Sequence, residues 1–92
     1  LNVNVNVITA LPEKEDLNVR IFPNPSSGTL MVELGDGNYQ SIEVINAFGQ
    51  IIQSENLTND MKELKLENLP QGMILVQLYS KSYVLVRKVI IK

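Results

Sequence analysis

Leu69-Pro70-Gln71-Gly72-Met73-Ile74-Leu75-Val76-Gln77-Leu78-Tyr79-Ser80-Lys81-Ser82-Tyr83-Val84-Leu85-Val86-Arg87-Lys88-Val89-Ile90-Ile91-Lys92 reads as a turn followed by a long β-hairpin. Pro70 fixes its own φ and lacks an N–H, while Gly72 can take the positive φ that ends such a turn. The first arm alternates, with Ile74, Val76 and Leu78 on one face and Met73, Leu75, Gln77 and Tyr79 on the other. Ser80-Lys81-Ser82 is short enough to reverse the chain, so the second arm, Tyr83 to Ile91, is expected antiparallel beside the first. Both faces of that arm carry bulk, Tyr83, Leu85, Val89 and Ile91 against Val84, Val86 and Ile90. Alternation by itself therefore does not say which face turns inward.

The same rhythm extends upstream. Leu1 to Ile8 alternates aliphatic residues with three Asn, which predicts a half-buried strand with a solvated outer face. Thr9 to Asp16, with a Pro and a charge cluster, predicts a solvated linker, so residues 1–16 form a preceding strand and linker and residues 17–92 the domain. Leu17 to Phe22 is a short strand stopped by Pro23-Asn24-Pro25-Ser26-Ser27-Gly28, whose prolines predict a sheet edge or corner. Thr29 to Leu34 is another strand, and Gly35-Asp36-Gly37-Asn38 predicts a hairpin into the next. In the following block Ile42 and Val44 point one way, and Asn46 and Gly49 predict a tight hairpin capped by the Asn side chain. Met61 to Leu66 alternates with Leu64 and Leu66 inward. Seven or eight short strands without a helix predict an all-β fold, an Ig-like antiparallel β-sandwich of about seven strands.

Composition narrows the chemistry. The 92 residues include neither Cys nor His, so there is no thiolate, no disulfide and no usual general base near neutral pH. Ser26, Ser27, Ser80 and Ser82 have no His to activate them, and Glu13, Glu15 and Asp16 lack the ligand spacing of an EF-hand loop. A non-enzyme without cofactor or metal is expected. No apolar run is long enough to span a bilayer as a helix, and a start at Leu1 rather than Met points to a piece of a longer protein. The net charge of −2 argues against a nucleic-acid partner. Its distribution is uneven: residues 1–67 carry net −6, and Lys81, Arg87, Lys88 and Lys92 make the final hairpin net +4.

From Leu17 to Lys92 the chain resembles the C-terminal sorting domains of proteins exported by the bacterial type IX secretion system. Phe22-Pro23-Asn24-Pro25 followed by Gly28 resembles the family's opening motif, and Ile42 to Asn46 with Gly49-Gln50 its central strand, turn and strand. Leu69-Pro70-Gln71-Gly72 resembles the third motif, and Arg87 to Lys92 the basic, β-branched ending. Each word is a common turn or strand word, and their order makes the match specific. Where the family usually has an aromatic residue two places after the glycine, this chain has Ile74.

The resemblance implies a non-catalytic address. Outer-membrane secretion machinery would read it, and a sorting peptidase would remove it. The N-terminal cargo domain would pass through the periplasm and end at the cell surface or in the medium. Pro23, Asn24, Pro25, Gly28, Gly49, Leu69, Pro70 and Gly72 are then the turn residues of the sorting motifs, which any sandwich would also need for its geometry. Arg87, Lys88, Val89, Ile91 and Lys92 are the recognition candidates, although edge lysines also oppose strand-to-strand aggregation. A monomer or a strand-swapped dimer is expected. The rival reading is an adhesive or carbohydrate-binding module, which the absence of Trp counts against.

Overall fold

A computed structural model of the chain describes residues 11–35, 38–58, 60–66 and 71–92. They form seven strands: β1 (Arg20–Phe22), β2 (Thr29–Glu33), β3 (Ser41–Ile45), β4 (Ile51–Asn56), β5 (Met61–Lys65), β6 (Gly72–Tyr79) and β7 (Val84–Ile91). All ladders are antiparallel, in a three-stranded sheet β1-β2-β5 and a four-stranded sheet β4-β3-β6-β7. The two sheets pack face to face as the expected Ig-like sandwich. The expected strand Leu1–Ile8, and Leu69 and Pro70 of the turn before β6, lie outside the described residues.

Alternation explains the core. Leu30, Val32 and Leu64 of the small sheet meet Ile42, Val44, Val76, Leu78 and Leu85 of the large one, all essentially without solvent contact. Each such side chain contributes about 1.5–3 kcal/mol relative to leaving it in water. The final hairpin pairs from Gly72↔Ile91 to Tyr79↔Val84. In β7 the inward face is Leu85, Val89 and Ile91, with Arg87 at the position between them. Polar groups close the far side of the sandwich, where Lys62 of β5 pairs with Glu55 of β4, which also accepts a bond from Gln53.

One expectation is corrected. Gly35 to Asn38 does not join a hairpin, because β2 is flanked by β1 and β5 while β3 is flanked by β4 and β6. The chain there crosses from one sheet to the other, and Leu34 and Tyr39 are buried on either side of the crossing. Gly35 is required, since its φ is +61° and a Cβ would lie 2.8 Å from that of Asn18. Residues 12–15 of the segment read as a linker are exposed, as expected of a solvated segment, and their backbone pairs with the sheet edge. Pro12 O accepts the Val84 N–H at 2.9 Å and Lys14 N–H donates to Val84 O at 2.8 Å, so this segment lies parallel to the start of β7 as a strap. Backbone groups left open along a sheet edge favour such pairing.

Candidate recognition surface

The opening turn is built by side chains that stand in for missing backbone donors. Pro23 and Pro25 have no N–H, and Asn24 and Ser26 between and after them bond the edge of β7 instead. Asn24 Oδ1 accepts the Ile90 N–H at 3.0 Å, Ser26 N–H donates to Ile90 O at 2.8 Å, and Lys92 N–H donates to Ser26 O at 2.9 Å. The Ser26 hydroxyl, buried with its residue, donates to Thr29 O and accepts the Gly28 N–H. Gly28 O in turn accepts the Leu66 N–H.

The central turn is equally well formed. Asn46 Oδ1 accepts the N–H groups of Phe48 and Gln50, both at 2.9 Å, and Gly49 closes the loop at φ +86°. This holds Phe48 at the tip, with 88 % of its surface in solvent. Between this loop and the start of β6 lies a cleft of about 280 Å³ bounded by Asn46, Ala47, Phe48, Gln71, Gly72, Met73 and Ile74. Ile74, two places after Gly72, is a core residue.

Register and these contacts bring the dispersed words to one end of the sandwich. The Pro23–Gly28 turn binds the last residues of β7, Ile91 pairs with Gly72, and Gly72 shares the cleft with the Asn46–Gly49 loop. The recognition candidates there divide by burial. Lys88 and Lys92 are exposed, whereas Val89 and Ile91 are 1 % and 4 % exposed and belong to the core.

Arg87 faces inward and points toward the other end of β7. Its guanidinium donates to Glu15 Oε1 at 2.7 Å, to Asp16 O at 2.8 Å and to Val19 O at 3.1 Å, clamping the strap. The bond to Arg87 is the main reason that the Glu15 carboxyl is held below its ordinary pKa. Beside it Tyr83 donates to Tyr39, and Tyr39 donates to Asp16 Oδ2 at 2.7 Å, while Lys14 sits over the Tyr83 ring. Burial, and then the hydroxyl of Tyr83 and the carboxylate of Asp16, push the Tyr39 pKa well above the usual tyrosine value.

Sequence reasoning missed Ser26, Arg87 as a clamp, and the Asp16–Tyr39–Tyr83 chain. A Ser two places before a turn glycine is a recognisable local cap, and Arg87 falls in the Leu85–Val89–Ile91 alternation. Nothing local pairs Tyr39 with Asp16. No group of three or more metal-ligating side chains occurs among the described residues, and no described helix is long and apolar enough to cross a membrane.

No curated protein matches the chain. Residues 20–92 match the family described as the secretion system C-terminal sorting domain. The chain therefore belongs to the family of C-terminal sorting domains of type IX secretion, whose members are cargo-linked signals recognised by the secretion system.

Proposed function

We propose that this domain is a non-catalytic address read at the end of the sandwich where its motif words converge. The observation that carries the reading is that convergence: the Pro23–Gly28 turn, Gly72, the Asn46–Gly49 loop and the C-terminal residues of β7 share one end. The strap joins at the start of β7, roughly 25 Å away by strand rise. Cargo attached ahead of the strap leaves the motif end clear. Lys88 and Lys92 make the direct contacts with the machinery, and Arg87, Val89 and Ile91 hold the strand that presents them. The cargo crosses the periplasm, and a sorting peptidase acts on the chain ahead of the docked strap. The cargo is then anchored at the surface or released.

Fusion of the chain behind a periplasm-targeted reporter, in a bacterium that has this secretion system, tests the reading. Deleting Arg87 to Lys92 is a poor control, because it removes core residues Val89 and Ile91. Lys88→Glu with Lys92→Glu changes charge at exposed sites and leaves the core alone. Reporter at the surface or in the medium with the native domain, and retention with the double variant, is the expected result. Retention of the native fusion in the periplasm with the domain folded would refute the reading.

A further inference from the structure

The outer face of the four-stranded sheet is divided in two. At the strap end it is polar on β4, β3 and β6, where Ser54 pairs with Glu43, Glu43 with Gln77, and the Tyr79 hydroxyl lies 2.7 Å from both Glu43 Oε1 and Gln77 Oε1, while Val86 and Val84 end these rows on β7. At the motif end the register sets Ile51, Ile45, Leu75 and Lys88 in one row across all four strands, with Met73↔Ile90 as the next pair. Ile51 is 57 % exposed and Ile90 42 %, and the Phe48 tip shares the cleft with Met73, the pairing partner of Ile90. Among the described residues six large hydrophobic side chains are exposed, and Phe48, Ile51, Met73 and Ile90 are four of them, with Ile52 next to Ile51 in the chain. Folding alone gives no reason to expose them, since an exposed strand position accepts a polar residue at little cost.

Among the described residues, the charges on the β7 border of this half are both positive, and Glu43 lies one row away in the polar half. Lys88 ends the aliphatic row and Lys92 follows the strand, and neither is in an ion pair among the described residues. We propose that this apolar half-face is the docking surface for an outer-membrane secretion protein that presents an aliphatic patch bordered by carboxylates. The proposal rests on the sorting reading and deepens it by naming the surface and the chemistry of its partner. A second copy of the chain fits less well, because a two-fold pair through this patch crowds like-charged lysines around it.

The same reporter fusion carries the test, with Phe48→Ser, Ile51→Thr and Ile90→Thr combined, and with Ser54→Ala and Asn56→Ala in the polar half as a matched control. Phe48→Ser alone guards against misfolding, because its side chain meets almost only solvent. Native and control fusions are expected outside the cell. The patch variants, with an unfolding midpoint like that of the native domain, should be retained at least tenfold more. Adding Lys88→Glu should deepen the loss. Export of the folded patch variants at the native level overturns this inference and leaves the sorting reading standing, while retention of the native fusion overturns both. A concentration-dependent dimer in sedimentation that Phe48→Ser abolishes would assign the surface to a second copy instead.

Discussion

At the scale of single residues, Arg87 shows how a charge in a core-facing alternation acquires a partner. Its three nitrogens reach two backbone carbonyls and a carboxylate on one segment, so losing it leaves those acceptors without a cation. Arg87→Ala should open the strap and speed trypsin cleavage after Lys14 by roughly tenfold or more, the order expected for lost charge-assisted bonds. An unchanged cleavage rate would mean that the Lys14–Val84 pairing suffices. Glu15 has a depressed pKa, so its contribution is fully present above its ordinary value of 4.5 and is lost as pH falls through the folded value. Exchange protection of the Lys14 N–H, measured against the intrinsic rate, should stay level above pH 4.5 and drop below it. Tyr39 works in the opposite direction. Its raised pKa leaves stability unaffected below the ordinary value of 10.0 and removes it as pH rises further, so Tyr39→Phe should flatten the alkaline end of a stability profile.

At the scale of elements, the two hairpins separate torsional cost from packing cost. A Cβ at Gly49 would meet nothing within 4 Å, so Gly49→Ala pays only for the left-handed backbone, about 1–2 kcal/mol. Leu85→Ala in β7 instead leaves a cavity between the sheets, and a denaturant titration should give a loss of about 2–5 kcal/mol. A cost under about 1 kcal/mol for Leu85→Ala would contradict the burial of that face. The turn at Asn46–Gly49 was legible in the sequence because its chemistry is local: one side-chain oxygen and one positive φ. The crossing at Gly35 was not, since the same turn residues serve a hairpin or a change of sheet. Which one forms is decided by partners far along the chain.

At the scale of the whole molecule, the strap extends the folded unit ahead of the residues that match the family, which begin at residue 20. A chain that starts at Leu17 loses the Pro12 and Lys14 bonds to Val84 and the Glu15 and Asp16 contacts to Arg87 and Tyr39. Its unfolding midpoint should fall below that of the full chain; equal midpoints would show that the strap adds nothing to stability. The motif end should keep its structure in either case, because its contacts are made by residues 23–28, 46–49, 72–74 and 88–92.

The sequence by itself determined the strands, their punctuation, the absence of thiol and imidazole chemistry and the resemblance to a sorting domain, because period-two burial, turn torsions and composition are local quantities. Only the tertiary structure decided which face of β7 turns inward, that Arg87 grips the strap while Lys88 and Lys92 stay exposed, and that distant motif words share one end. These are matters of sheet membership and register, set by where two sheets can bury their aliphatic faces together, and a strand with bulk on both sides carries no local record of that choice.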